Sequence, residues 1–172
     1  MTQEPIYNAE SGDEGMLRAS AEARQTFKFF WRELSWEYRR IIPGLDLAAV
    51  KMPFKNEDRQ EGEPEAEHMW ISEISFDGDT IKGKLLNNGE WIKSLTAGTP
   101  ATVALGEIDD WMYSIHGQVY GAYTVNYMRG GMSRAERVAH DRAWGLDFGH
   151  PENIKVAQDP RPQGGLLKRL FG

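Results

Sequence analysis

Asp77-Gly78 sits between two apolar-rich runs within Met69–Leu86. That dipeptide is a strong short-range hairpin signal, because glycine takes the positive φ a tight turn demands. A two-residue turn there predicts a register. Phe76 then lies opposite Asp79, Ile74 opposite Ile81 and Trp70 opposite Leu85. Glu73 meets Lys82 as an opposite-charge pair on the other face. Slipping by one residue would turn every apolar side chain to the wrong face. The chain is therefore committed to an antiparallel sheet around this hairpin.

The flanking segments supply its cover. Ser11-Gly12-Asp13-Glu14 has capping-box spacing. Beyond it Met16, Ala19, Ala23, Phe27, Phe30, Trp31, Leu34 and Tyr38 recur in threes and fours. The pattern predicts a helix over 13–41, ended by Pro43-Gly44. Residues 46–54 read as a strand, and 55–67 as a solvated loop with six acids against Lys55 and Arg59. Residues 87–98 are turn-rich, with a short strand expected at Trp91-Ile92, and 99–105 read as another strand. Residues 111–127 are expected to form a second hairpin turned at His116-Gly117, facing Tyr113 with Tyr120 and Trp111 with Ala122. Ser133-Arg134-Ala135-Glu136 repeats the capping-box spacing and opens a short helix to Trp144, with Gly145 placed to end it. This order predicts an α+β fold: a long N-terminal helix on a twisted, partly barrel-like antiparallel sheet of about five strands, with a short C-terminal helix. One domain is expected over 13–156, with a flexible lead at 1–12 and a flexible tail at 157–172.

Composition narrows the function classes. The net charge of −6 and pI near 5.3 disfavour a general nucleic-acid binder and suit a basic protein partner. The chain has no cysteine, which excludes disulfides, thiolate metal sites and thiol catalysis. No apolar run reaches the roughly 18 residues of a spanning helix. The polar, acidic start MTQEPIYNAESGDEG does not read as a secretory signal, so the cytoplasm is the expected compartment.

The stretches FWRELSWEYRRIIPGLDLAAVK, EHMWISEISFDGDTIKGKLLN, IDDWMYSIHGQVYGAYTVN and AWGLDFG together carry a resemblance. Over Ala23 to Pro151 the chain resembles the bacterial YegJ-like domain of unknown function, numbered 2314. The resemblance implies a compact α+β domain, usually cytoplasmic. It brings no established activity, cofactor or catalytic set, so it assigns a role to no residue. It leaves out residues 1–20 and 158–172, and the acidic loop is longer here than the turn typical of that family.

Chemistry-bearing motifs are sparse. The four histidines, His68, His116, His140 and His150, fit no metal-ligand spacing. No nucleophile elbow and no glycine-rich phosphate loop occurs. No metal, cofactor or catalytic residue is therefore expected. Asp109 and Asp110 precede an aromatic strand, but neighbours on a strand point to opposite faces and would not converge. Trp91, Tyr120 and Tyr123 are the aromatics expected at the surface, where Trp and Tyr make good interface anchors. A basic flank on the long helix (Arg18, Arg24, Lys28, Arg32, Arg39, Arg40) is mixed with Glu22, Glu33 and Glu37 and reads as a solvated face. The C-terminal GLLKRLFG is too short to be a stable helix alone.

These features favour a non-enzymatic cytoplasmic binding module for another protein, one version being an immunity-type protein that occludes a partner toxin. Glu61, Glu63, Glu65 and Glu67 of the acidic loop, with Trp91, Asp109, Asp110, Tyr120 and Tyr123, are the expected partner-binding residues. The alternative is a small hydrolase-like enzyme with a dispersed site of Asp109, Asp110, His116 and His140. A nucleic-acid adaptor on the basic helix flank is a third reading, and the charge balance argues against it.

Overall fold

The computed structural model describes residues 13–158. The Ser11 cap, the C-terminal GLLKRLFG and most of both expected tails lie outside the described residues. Helix α1 spans Glu14–Glu37, and Asp13 caps it by accepting the Gly15 N–H. It stops short of the expected 41, because the Glu37 carboxylate accepts the Gly44 N–H at 2.8 Å and folds the chain back. Six strands follow: β1 Leu47–Lys55, β2 Ala66–Phe76, β3 Thr80–Leu85, β4 Pro100–Ala104, β5 Asp110–Ile115 and β6 Gln118–Gly121. Two short helices close the fold, α2 Tyr123–Gly130 and α3 Arg134–Trp144. The α+β class is as predicted. The sheet, however, is open rather than barrel-like and has six strands in the order β4-β3-β2-β1-β5-β6.

Alternation along the strands splits the core in two. Val50 and Met52, with Ile71, Ile81, Val103 and Trp111, pack under Ala23, Phe27, Phe30 and Leu34 of α1. The Trp111 indole donates to the Ala23 carbonyl at 2.9 Å and fixes the helix on β5. The opposite face is narrower. Ala49, Trp70, Met112 and Val119 pack there with Val125 of α2 and with Phe148, Trp144 and Leu146.

The hairpin at Asp77-Gly78 forms with a shifted register. The Asp77 N–H donates to Thr80, so Gly78-Asp79 is the two-residue loop, and Phe76 pairs with Ile81. A bulge between Ser72 and Ser75, with Glu73 at φ 53, then moves the ladder by one. Leu85 pairs with Ile71, not with Trp70, and Glu73 reaches Lys84 at 2.6 Å instead of Lys82. Gly83 lies beside the bulge, where an added Cβ would stand 2.6 Å from the Ser72 carbonyl.

The second hairpin turns at His116-Gly117 and pairs Tyr113 with Tyr120, as predicted. It stops at Gly121 instead of running to Tyr127. Gly121 and Ala122 both take positive φ, 76° and 59°, and the chain turns into α2. Residues 91–92 form a bend and irregular chain rather than a strand. Helix α3 begins and ends as expected, with a complete Ser133–Glu136 capping box and Gly145 left-handed at φ 67.

Candidate functional site

The β1–β2 connection is acidic, but it is folded. At its base the Asn56 N–H donates to the Glu65 carbonyl at 2.9 Å. The Asn56 amide donates to Glu63 at 3.2 Å, and Glu63 also accepts the Gln60 N–H at 3.1 Å. A second segment, residues 90–94, rises opposite. It is held by Glu67, whose carboxylate accepts the backbone N–H groups of Glu90, Trp91 and Ile92, the last two at 3.1 and 3.0 Å. Between the two lies a cleft of about 810 Å³. Glu57, Asp58, Glu63 and Glu90 line it, as do Lys55, Lys93, Trp91 and Ile92.

The expected acidic residues divide by what they already hold. Glu63 and Glu67 are internal ties of the two walls. Glu65 is exposed and pairs with Arg59 at 3.1 Å. Glu61 is exposed and its carboxylate makes no hydrogen bond or ion pair among the described residues. Trp91 is half-buried in the cleft wall. Glu57 and Asp58, whose carboxylates are also exposed, are cleft residues that sequence reasoning passed over. Their place between charged neighbours gave no reason to single them out.

The other expected residues are placed differently. Tyr120 and Tyr123 are buried, 8% and 5% exposed, and so are not surface anchors. Tyr120 stacks on Tyr113 with centroids 4.8 Å apart, and Tyr123 packs edge-on to Trp111. Burial raises the phenol pKa of both. Asp110 is fully buried. It accepts the N–H groups of Trp111 and Tyr123 at 2.8 and 2.9 Å, and the N–H and hydroxyl of Thr124 at 2.7 and 2.6 Å. It is the cap of α2, supplied from a strand. Burial pushes its carboxyl up, against the Thr124 hydroxyl and the charge of Lys51. The same burial pushes the Lys51 amine down, against Asp110 and Asp109.

Asp109 points away from Asp110 and accepts from His68 Nδ1 at 2.7 Å. The bond orients the imidazole through its Nδ1. Among the described residues His68 has no hydrogen bond to a hydroxyl or an amine. His116 stands at the far end of β5, in the turn. His140 bonds Asp141 at 2.9 Å and packs against Phe148. Asp109, Asp110, His116 and His140 are thus not brought together. No group of three or more His, Asp or Glu among the described residues is placed to hold a metal ion.

Lys51 and Arg129 are the polar residues that sequence reasoning missed. Lys51 is in phase with Leu47 and Ala49, so a lysine on a core face was the readable signal that a buried acid must face it. Arg129, 2% exposed, holds Asp141 through two bonds at 3.0 and 2.8 Å. It also donates to Asn126 at 2.7 Å and lies over the Phe148 ring. It ties α2 to α3.

Comparison with known proteins adds the following. A family model described as "Uncharacterized protein conserved in bacteria (DUF2314)" matches residues 13–148. A protein of Neisseria meningitidis serogroup B, provisionally named an ankyrin repeat protein, is 46% identical over 156 residues, 91% of this chain and 61% of that protein. The uncharacterized protein YegJ of Escherichia coli K12 is 26% identical over 81 residues, 47% of this chain and 49% of that one. The chain therefore spans about three fifths of the length of the first relative, and the match about half of the second. No solved structure matches. No described helix is long and apolar enough to cross a membrane.

Proposed function

The chain belongs to the DUF2314 family of uncharacterised bacterial proteins, and on that premise we propose that it is a non-enzymatic protein-binding module whose acidic cleft receives a basic segment of a partner. The observation that carries this reading is the cleft itself. Its two walls are tied internally by Glu63 and Glu67, which leaves Glu57 and Asp58 outward and uncommitted in the cleft that Trp91 lines, with Glu61 exposed on the same loop. Preformed walls spare the ordering entropy of binding, and outward carboxylates steer a cationic partner to them. A half-buried tryptophan between charged rims is a common anchor.

The Neisseria relative supports a place among interacting proteins. Its 156 matched residues are 61% of its length, which leaves about 100 residues, room for three ankyrin repeats of about 33 residues each. The described residues here hold no stack of paired helices. We read the shared part as a domain that works beside a binding array in that protein. In its finer form the proposal is an immunity-type role in the cytoplasm, with the cleft rim closing over a partner toxin.

The test is capture of partners by the tagged full chain from its own cells at low and moderate salt, read by quantitative mass spectrometry. The expected result is one stoichiometric basic partner, lost as salt rises and lost in the Glu57→Lys, Asp58→Lys, Glu61→Lys variant. A partner held equally by that variant removes the cleft from the model. For the finer form, the captured partner should arrest growth when expressed alone and not when co-expressed with this chain.

A further inference from the structure

The loop between α1 and β1 carries two side chains that the fold does not use. Ile41 is fully exposed and Ile42 is 81% exposed. Trp36, one turn back on α1, is 46% exposed. Cations surround them. Lys28 and Arg32 each lie 5.3 Å from the centre of the Phe29 ring, and Arg32 lies 5.4 Å from that of Trp36. Arg39 is exposed and donates to the Ser35 carbonyl at 3.1 Å. Of the acids at this end, Glu73 beside Tyr38 is exposed but paired with Lys84 at 2.6 Å, and the others are turned inward and occupied. Glu33 is buried against Arg40, Glu37 accepts from Arg40 and Gly44, and Asp46 accepts from Gly117 and Ser114. Outward, this end of the molecule is apolar and cationic.

We propose that the outward face of α1 from Lys28 to Arg39, together with Ile41 and Ile42, is a docking surface for the anionic phospholipid of a membrane leaflet. Arginine and lysine on aromatic rings present charge at the level of the phosphates, and the protruding isoleucines enter the acyl boundary below. A lipid surface accepts a convex apolar tip without a matching pocket. A nucleic acid would satisfy the cations but gives two isoleucines nothing to contact. A second copy on the same face would set Arg32 and Arg39 against their own equivalents. The acidic loop does not cancel the attraction. It leaves the opposite end of the nine-residue β1, and at about 3.4 Å per residue that is about 30 Å away, several screening lengths of about 8 Å. Docked this way, the protein presents its cleft away from the membrane.

The experiment is co-sedimentation of the full chain with phosphatidylglycerol-rich vesicles and with pure phosphatidylcholine vesicles. Binding is expected only to the former, with release as salt rises. Arg32→Gln with Arg39→Gln should lower the partition coefficient about 25-fold, at about fivefold per arginine. Ile41→Ser with Ile42→Ser should abolish binding and leave the melting temperature unchanged, because neither side chain is packed. Absence of binding at low salt, equal binding to phosphatidylcholine, or binding that survives the isoleucine changes overturns the proposal. So does a loss of dimer in light scattering on those changes, which assigns the face to a second copy. Retention on duplex DNA or RNA that the isoleucine changes leave intact assigns it to nucleic acid.

Discussion

Asp110 and Glu67 accept more backbone donors than the other carboxylates described, and each holds an element that is distant in sequence. Asp110 takes two N–H groups at the start of α2, a third from Trp111 and the Thr124 hydroxyl, with the Lys51 amine nearby. Asp110→Ala leaves those donors and the lysine unpaired in the core. The expected loss is about 3–5 kcal/mol in urea unfolding. Asp110→Asn keeps one acceptor oxygen and should lose less. A cost near 1 kcal/mol for the alanine would mean that packing alone holds α2. Glu67 acts on the cleft wall. Glu67→Ala frees three backbone N–H groups of residues 90–92, and hydrogen exchange there should quicken while β1 and β5 stay protected. Unchanged exchange at Trp91 would show that the wall stands without it.

The turn after α1 binds the helix end to β1 through Glu37. Burial pushes the Glu37 carboxyl up, but the Gly44 N–H, the Arg40 guanidinium and the Leu45 N–H outweigh it and hold it below its usual 4.5. A depressed carboxyl binds its proton more weakly when folded, so its stabilisation is present above pH 4.5 and is lost as pH falls through the folded value. Glu37→Gln should therefore be less stable than the parent at pH 7 and lose less between pH 5 and 3. Parallel losses in urea melts over that range would show that Glu37 does not contribute. This closure also explains why the helical pattern in the sequence overran the helix. Apolar spacing continues to Tyr38, whereas the stop is set by a contact across seven residues. The same division runs through the fold. Helix α3 was legible because Ser133, Glu136 and Gly145 carry both of its ends locally. Helix α2 was not, because its cap comes from β5, and Val119-Tyr120 before it reads as strand. The central hairpin was legible in kind and misplaced in register, first because the loop is Gly78-Asp79 and not Asp77-Gly78, and then because the Glu73 bulge beside Gly83 moves the ladder by one. In the candidate site, the charge of the loop could be read from composition. Which carboxylates were already engaged could not, because Glu67 is held by backbone groups of residues 90–92 and Glu63 by Asn56 and Gln60 only once the loop has folded.

At the scale of the whole molecule, the family match ends at residue 148 but the packing does not. Beyond it the chain lies along the β6 edge. The Gly121 N–H donates to the Lys155 carbonyl at 2.7 Å, and the Tyr113 hydroxyl to Val156 at 3.3 Å. Ile154 and Val156 pack against the α1-side core, next to the Tyr113–Tyr120 stack. The segment both shields one edge of the sheet and closes the aromatic end of the core. Without it, the Gly121 N–H at the end of the four-residue edge strand β6 loses its partner, and the Tyr113–Tyr120 stack loses its cover. A chain ending at residue 150 should fold, since both helix-covered faces remain. Three hydrogen bonds, the third an exposed one from Lys155 to the Gln118 amide, and the burial of two aliphatic side chains would be gone, a loss of about 2–4 kcal/mol. Tyrosine fluorescence quenching by acrylamide should rise in the shortened chain, and its urea midpoint should fall. Equal midpoints would place the working boundary of the domain at the end of the family match. The opposite end of the sheet, where β4 stands uncovered as a five-residue strand, is untouched by this change, so any new self-association in the shortened chain is expected through β6.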